Sequence, residues 1–383
     1  MQIILHIGQP KTASTTIQAY LAQNRKRLAA RGVLYPAALG DHKATALSDL
    51  NAVDEKLTAS QEQIIARMQA EFSGGYDRAI LSNETLFATG KSTLTRLKRV
   101  LDPFATSYRV LCYIRRPDEH VASQYQQKVK SGYVGTFEGF FAERLNGGYY
   151  EYTRFLDRWA QVFGQEAVEL RLFHRKALRG GPIDDFLQWT GIDPAGLSSP
   201  ERGHANESLD PIGTEIVRLL HLGKAEDPDL AGKSGARRIV ARLRDLDTGQ
   251  RLRLDGERAR LLHETVRSDH ERLAALYLPP DQAGLLLAPP AETPPQPPLD
   301  GEALFARMSA VFADPDLARR LMETAARAGA AEGPRRGRKG PKTDRILQRQ
   351  ARQAKHRTWW KRALRFVRGA WRARSAGAKP GSR

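Results

Sequence analysis

Lysine and hydroxyl side chains near the start of the chain have the composition of a phosphate or sulfate site. Lys11 follows a short apolar run and precedes an amphipathic pattern, and it is accompanied by Thr12, Ser14, Thr15 and Thr16. The free N–H groups and partial positive charge at a helix N-terminus favour bound anions, and a lysine adds a full charge. Residues 6–16 are therefore predicted to bind an anion, and a hydroxyl-rich N-cap without a ligand is the alternative.

This segment differs from the phosphate-binding loop of ATPases and GTPases. That loop has a glycine directly before its lysine, whereas Pro10 stands before Lys11 here. A nucleotide kinase is therefore the less favoured interpretation of the segment.

A second pair of anion-binding residues follows a later apolar run. Arg115 stands directly after Arg109–Ile114, and Ser123 lies eight positions further on. A guanidinium can hold a phosphate with two N–H groups, and a hydroxyl adds another donor. These groups could hold an anion, and the alternative is a surface pair, Arg115 and Arg116, beside Asp118 and Glu119.

Glu84 and His42 are the candidates for a general base. Glu84 follows the apolar run Ala79–Leu81, and histidine titrates near neutral pH. The alternative for Glu84 is a first-turn helix acid stabilised by the helix dipole. Lys43, beside His42, could assist an anionic acceptor. No cysteine or histidine cluster has metal-ligand spacing, so no metal is predicted.

Four apolar runs alternate with helical patterns and must position these residues. The runs are Ile3–Ile7, Ala79–Leu81, Arg109–Ile114 and Val168–Leu172. This alternation predicts the α/β class, with a mostly parallel sheet flanked by helices. Ligands bind beyond the carboxyl ends of such strands, where Lys11, Glu84 and Arg115 would all lie.

The segment Lys11–Thr16 (Lys-Thr-Ala-Ser-Thr-Thr) resembles the 5′-phosphosulfate loop of sulfotransferases, whose usual form is Lys-[Ser/Thr]-Gly-Thr-Thr. It is similar to the bacterial sulfotransferase-like proteins that share this loop with glycosaminoglycan-type enzymes. The resemblance covers about residues 1–275 and implies a P-loop nucleotide-kinase-like sulfotransferase fold with helical C-terminal additions. The family glycine is replaced by Ala13, and a position that needs a left-handed backbone would be strained there.

The resemblance also implies the co-substrate, 3′-phosphoadenosine 5′-phosphosulfate (PAPS), and the residues that bind it. Arg115 and Ser123 would hold its 3′ phosphate. Lys11 would act in catalysis, with Glu84 or His42 as the base. The remaining implied contacts come from the loop, namely Gln9, Lys11, Thr12, Ala13, Ser14, Thr15 and Thr16.

The implied activity is in-line transfer of a sulfonate group from PAPS to a hydroxyl or amine, without a required metal. A glycan or glycolipid is the expected acceptor, and Tyr149 and Tyr150 are predicted to stack on an acceptor sugar. The alternative is a non-catalytic nucleotide-binding protein of the same fold, whose basic tail binds a membrane or nucleic acid. Ala13 favours this alternative.

The formal net charge of +18 is concentrated at one end of the chain. Residues 334–383 hold 18 of the 61 Lys and Arg residues and one of the 43 acidic residues. The rest is almost neutral, which excludes a uniformly basic nucleic-acid-binding domain. Residues 357–373 place Trp360 and Trp371 on one predicted helical face, opposite basic residues, which is typical of an anionic membrane surface. Nucleic acid, an anionic polysaccharide or no partner are alternatives.

Four segments are predicted along the 383-residue chain. They are a sulfotransferase-like α/β domain (1–278), a Pro-rich linker (279–299), a small helical segment (300–328) and a basic, largely disordered tail (329–383).

Cys112 is the only cysteine, which excludes a disulfide scaffold. No run approaches the length of a membrane span. We expect a cytoplasmic protein, peripheral at the inner membrane face, and leave its oligomeric state open.

Overall fold

The computed structural model describes residues 1–50, 57–178, 180–198, 208–226 and 233–331. The tail from residue 334 onward, with the helix predicted at 357–373, lies outside the described residues and stays a prediction. None of the described helices combines the length and the apolar composition that crossing a membrane requires.

Five parallel strands form one sheet in the order β2-β3-β1-β4-β5. They are β1 Gln2–His6, β2 Val33–Leu34, β3 Arg78–Ser82, β4 Ser107–Ile114 and β5 Val168–Leu172. β1 is central and pairs with β3 and β4. The predicted α/β class and parallel sheet are confirmed, and β2 is a short edge strand that the apolar pattern did not predict.

The described residues form fifteen α-helices. They are α1 Ser14–Gln23, α2 Arg25–Ala29, α3 Ala46–Leu50, α4 Ala59–Phe72, α5 Lys91–Leu101, α6 Pro117–Lys130, α7 Phe137–Asn146, α8 Thr153–Phe163, α9 Pro182–Thr190, α10 Pro211–Glu226, α11 Lys233–Asp245, α12 Gly256–Tyr277, α13 Pro280–Leu287, α14 Gly301–Phe312 and α15 Pro315–Ala331. Single 3₁₀ turns follow β3, follow α5 and precede β5.

The chain divides into two compact units that interleave along the sequence. The first contains residues 255–293 and the described parts of 1–121 and 147–206, and it includes the whole sheet. The second contains residues 122–146 and the described parts of 207–254 and 294–331, and it is helical. The sequence predicts consecutive segments instead, because composition does not reveal which distant helices pack together.

The core of the first unit explains why its strands are nearly continuous apolar runs. Ile3, Ile4 and Leu5 of β1 are all fully buried, as expected when helices cover both faces of a parallel sheet. On one face, buried side chains of α1, α9 and the strands form a single cluster, including Ile17, Leu21, Phe186, Leu187, Ile4 and Ile80. This packing fixes the direction of α1, whose N-terminus begins at the carboxyl end of the sheet.

Helix α13 occupies the start of the predicted Pro-rich linker. Pro280 lies in its first turn, where a missing N–H is tolerated, and Leu286 is buried. The side-chain oxygen of Gln282 accepts a hydrogen bond of 2.8 Å from the backbone N–H of Leu172, the last residue of β5. Residues 280–287 are thus a packed helix, because a proline pair can begin a helix as well as interrupt one.

A buried carboxylate organises the second unit. Asp210 accepts hydrogen bonds from Arg307 Nη1 at 2.6 Å, Thr248 Oγ1 at 2.8 Å and the backbone N–H of Gly213 at 2.7 Å. These bonds connect α10 to α14, so residues 300–328, for which helices are predicted, pack within this unit.

Candidate functional site

The loop between β1 and α1 contains two residues in the left-handed region. The φ angles are 72° at Lys11 and 58° at Ala13. This region costs a non-glycine residue about 1–2 kcal/mol, and such strain concentrates at functional sites. Ala13 is the N-cap of α1 and provides no side-chain cap. The N–H groups of Thr16 and Ile17 donate to the Ala13 carbonyl oxygen, so those of Ser14 and Thr15 are the ones that could bind a ligand. Left-handed residues in such a loop form a backbone nest for anions.

Two of the predicted binding residues support this loop from inside. Thr12 Oγ1 donates to the carbonyl oxygen of Gln9 at 2.6 Å. The Gln9 side chain donates to the Tyr152 hydroxyl at 2.9 Å and accepts from the backbone N–H of Arg115 at 2.9 Å. Both Gln9 and Thr12 are fully buried. The Gln9 side chain connects the loop after β1 to the loop after β4. The backbone N–H of Gln9 donates to the Tyr113 carbonyl oxygen at 2.7 Å, so of these two residues only Thr12 could offer an anion a backbone N–H.

Lys11 and Arg115 place two positive charges close together. Burial, and then the charge of Arg115, lower the pKa of Lys11. Arg115 follows β4, the neighbour of β1, so the two residues leave the same edge of the sheet. Two like charges this close are unfavourable unless an anion compensates them, and a bound phosphate or sulfate group could interact with both.

The hydroxyl side chains of the loop differ in exposure. Ser14 is buried, Thr15 is exposed and Thr16 is half-buried, all in the first turn of α1. Ser123 is half-buried on α6, two turns after Arg115 as predicted.

Arg116 has a structural role. It donates to the carbonyl oxygens of Leu285 and Ala288 at 2.7 and 2.8 Å and pairs with Asp118 at 3.2 Å. Its guanidinium is therefore committed to the end of α13, and Arg115 alone of this pair faces the site.

A cavity of about 500 Å³ lies beside Arg115. Its walls come from the start of α6 and the segment after β5, namely Arg115, Glu119, Phe173, His174, Arg175, Leu178, Gly181 and Pro182. Glu119 lies 3.3 Å from Arg115 Nε and 3.9 Å from His174 Nε2. The sequence motifs do not point to the lining residues that follow β5, although their position after the carboxyl end of that strand is a usable signal.

Glu84 lies in a 3₁₀ turn directly after β3 and has a partner on each carboxylate oxygen. Lys43 Nζ is 2.8 Å from Oε1, and Gln18 Nε2 donates to Oε2 at 2.9 Å. Burial alone would raise the pKa of Glu84, but the bonds from Lys43 and Gln18 outweigh it and lower the pKa. The carboxylate is therefore ionised at neutral pH, as a general base must be.

His42, the other candidate base, has an exposed side chain, and its backbone carbonyl accepts a hydrogen bond from the Tyr35 hydroxyl. The neighbouring Lys43 is the residue of this loop that reaches Glu84. The arrangement therefore favours Glu84 over His42 as the buried acid/base group.

A polar chain continues from Glu84 to the end of β1. Gln18 Nε2 also lies 3.1 Å from Ser82 Oγ, which is 2.8 Å from His6 Nδ1. Burial lowers the pKa of His6 to about 4, so its ring is neutral. His6 Nε2 has no hydrogen-bond partner among the described residues. A Cβ at Gly8 would lie only 3.3 Å from this nitrogen, so the loop crosses closely above the ring.

The predicted sugar contact by Tyr150 is wrong. Its side chain is fully buried, and its hydroxyl lies 3.1 Å from His120 Nδ1. Tyr149 stacks on the same histidine ring, with centroids 6.1 Å apart. These tyrosines support the interior of the first unit.

Among the described residues, no group of three or more His, Cys, Asp or Glu side chains could hold a metal ion.

No family profile matches the sequence. An uncharacterised protein of Archaeoglobus fulgidus is 29% identical over 147 residues, which are 37% of this chain and 38% of that protein. The chain thus matches well under two thirds of this relative's length. A crystal structure of a sulfotransferase from Alicyclobacillus acidocaldarius aligns over 61% of this chain and 98% of its own, with 17% identity and a TM-score of 0.34. That score is too low to assign a function to this chain.

Proposed function

We propose that the protein is a sulfotransferase that moves a sulfonate group from PAPS to a hydroxyl or amine group. The observation that carries the proposal is the set of groups at one edge of the sheet. Three adjacent strands are followed by the loop that contains Lys11, by Arg115 with its single 3.3 Å contact to Glu119, and by the ionised carboxylate of Glu84.

The two positive charges and the cavity suit a nucleotide with two anionic ends. The loop N–H groups and Lys11 would bind the 5′ phosphosulfate, and Arg115, with Ser123, the 3′ phosphate. The cavity of about 500 Å³ beside Arg115 offers space for the nucleoside. The Pro10-Lys11 pair argues against ATP, because a kinase loop has a glycine before its lysine.

The chemistry requires charge stabilisation and one proton transfer. PAPS supplies a sulfonate whose bond to the phosphate oxygen breaks as the acceptor oxygen or nitrogen bonds to sulfur. Glu84 takes the acceptor proton, while Lys43 and Gln18 hold its carboxylate ionised and oriented. Lys11 compensates the charge that develops on the leaving phosphate.

A thermal-shift measurement with the product nucleotide, adenosine 3′,5′-bisphosphate (PAP), tests the nucleotide site. PAP should raise the melting temperature of the wild type because it binds only the folded state. Lys11→Ala should abolish the shift, whereas Lys26→Ala, an exposed lysine of α2, should retain it. A wild type that shows no shift with PAP would exclude this function.

Transfer itself is tested by mass spectrometry, with PAPS and a whole-cell extract of glycans and lipids as acceptors. A glycan or glycolipid is the proposed acceptor. Glu84→Gln keeps the size of the side chain but cannot take a proton, so it should lose transfer and keep PAP binding. Full transfer by Glu84→Gln would move the role of base to His42, which His42→Ala would then test.

A non-catalytic nucleotide-binding protein is the second candidate, favoured by the strained alanine at position 13. It predicts PAP binding without transfer to any acceptor.

In both cases residues 357–373 are proposed to hold the protein at an anionic membrane surface. Deleting residues 334–383 should abolish sedimentation with phosphatidylglycerol vesicles and leave PAP binding intact. Unchanged sedimentation would refute the membrane role, and RNA binding lost on deletion would favour nucleic acid.

A further inference from the structure

We propose that His120 is a positioning residue for the phosphate loop. Its ring holds the carbonyl oxygen of Pro10 and thereby turns the backbone N–H of Lys11 towards the 5′ anion. The inference rests on the proposed function, because it assigns a role in binding the 5′ end of the nucleotide.

The hydrogen bonds of His120 define which ring nitrogen carries the proton. His120 lies in the first turn of α6 and is fully buried. Its Nε2 is 2.7 Å from the Pro10 carbonyl oxygen, and its Nδ1 is 3.1 Å from the Tyr150 hydroxyl. A carbonyl oxygen only accepts, so Nε2 must donate to Pro10. In the neutral ring Nδ1 then accepts from the Tyr150 hydroxyl.

The geometry of the peptide bond transmits this contact to the ligand side of the loop. The Pro10–Lys11 peptide is trans, so its C=O and N–H point in opposite directions. When His120 holds the carbonyl on the interior side, the N–H of Lys11 faces the other way. A rotation of this peptide would relieve the left-handed φ of 72° at Lys11 and remove the N–H from the nest. The bond from His120 opposes that rotation.

The ring of His120 is itself held on several sides. Tyr149 stacks on it with an interplanar angle of 17°. The backbone carbonyl of Tyr150 is 3.0 Å from His270 Nε2, and burial lowers the pKa of His270 to about 4. The neutral His270 therefore anchors the segment whose Tyr150 hydroxyl contacts Nδ1 of His120. This arrangement belongs to the folded protein, so the loop is oriented before a nucleotide arrives.

Two ligands and two substitutions isolate the role. PAP carries the 5′ phosphate, and adenosine 3′-monophosphate lacks it. In His120→Gln the amide nitrogen lies near the place of Nε2 and can still donate to Pro10, whereas His120→Leu cannot donate. We expect His120→Leu to weaken PAP binding about tenfold, measured by calorimetry, with little change for the 3′-monophosphate. His120→Gln should stay near wild type, as should the control His263→Leu on α12.

The outcomes separate this inference from the proposed function. If the wild type does not bind PAP, the proposed function fails. If it binds PAP but His120→Leu weakens both ligands equally or neither, His120 does not position the 5′ site and the inference is overturned. Should His120→Leu not fold, Tyr150→Phe removes only the hydroxyl that contacts Nδ1 and helps to hold the ring in place. It should weaken PAP about threefold and spare the 3′-monophosphate, and equal effects on both would again overturn the inference.

Discussion

Strand β4 has an arginine towards each end, and the two arginines have opposite surroundings. Near its beginning, Arg109 donates from Nε and Nη2 to the two carboxylate oxygens of Glu169 at 2.5 and 2.8 Å. Directly after its end, Arg115 has one long contact of 3.3 Å with Glu119, and its charge lowers the pKa of Lys11. The first guanidinium is neutralised by a bidentate partner, whereas the second lies beside a like charge.

This difference indicates which charges stabilise the fold and which serve a ligand. A bidentate arginine–carboxylate pair satisfies both partners without help from outside the protein. Two like charges at one site are favourable only when an anion completes it. The amino end of the sheet is therefore complete as it folds, whereas under the proposed function the nucleotide completes the carboxyl end.

The largest expected difference between the two ends of the sheet is the effect of acid on the free energy of unfolding. Burial lowers the pKa of His6, at the carboxyl end, from 6.5 to about 4. Between these pH values the unfolded chain binds a proton that the native ring does not, so the free energy of unfolding falls as pH decreases, by up to about 3 kcal/mol. Burial alone would raise the pKa of Glu169, but the hydrogen bonds from Arg109 and Trp189 outweigh burial and lower it. The Arg109–Glu169 pair at the amino end therefore stays ionised.

Urea unfolding at pH 7 and pH 4.5 measures this contribution. His6→Asn can still reach the Ser82 hydroxyl and does not titrate, so it should lose less stability in acid than the wild type. Identical losses in the two proteins would show that His6 is not the responsible group.

Replacing Arg109 within β4 and Arg115 directly after it should have different effects. Arg109→Met leaves the half-buried Glu169 without its guanidinium and should lower the free energy of unfolding by about 2 kcal/mol. Arg115→Met should change stability little and weaken PAP binding. Urea unfolding and PAP titration of both variants measure the two effects. A larger loss of unfolding free energy in Arg115→Met than in Arg109→Met would contradict these assignments.

Ala13→Gly should raise the free energy of unfolding by about 1 kcal/mol, because glycine adopts the φ of 58° without the Cβ penalty. Ala19→Gly, inside α1, is the matched control and should lower it by about the same amount. Thermal or urea unfolding distinguishes them. Destabilisation by both would mean that the loop is not strained at position 13.

The smallest expected effect concerns the acid limb of the pH profile for sulfonate transfer. Hydrogen bonds from Lys43 and Gln18 lower the pKa of Glu84, so transfer should persist to lower pH than an ordinary carboxylate allows. Lys43→Met should move the acid limb to higher pH, and Lys43→Arg should leave it near the wild type. An unmoved limb in Lys43→Met would show that Lys43 does not tune the base.

Four of the five strands could be predicted, because a strand covered on both faces is a continuous apolar run. β2 consists only of Val33–Leu34, which is too short to produce a pattern. Helix α13 was not predicted, because its prolines indicate a linker. The interleaving of the two units could not be predicted either, because it depends on contacts between distant segments.

The residues that support the site were harder to predict than those proposed to touch a ligand. The rule that ligands bind beyond the carboxyl ends of strands anticipates the closeness of Lys11 and Arg115. His120 and Pro10 are 110 positions apart, and nothing in the local sequence connects them. Gln18 resembles an ordinary helix residue until the fold shows that it is buried against Glu84. Such roles come from burial, which only the tertiary structure reveals.

The bond between Leu172 and Gln282 has a consequence for biosynthesis. The two residues are 110 positions apart, so β5, an edge strand, emerges from the ribosome long before the side chain that pairs with the backbone N–H of its last residue. An unpaired strand edge is a template for aggregation, and domains fold as units once their segments are present. We therefore expect the nascent chain to depend on chaperones throughout synthesis of residues 173–282, and recombinant yield to improve when translation is slowed or chaperones are supplied.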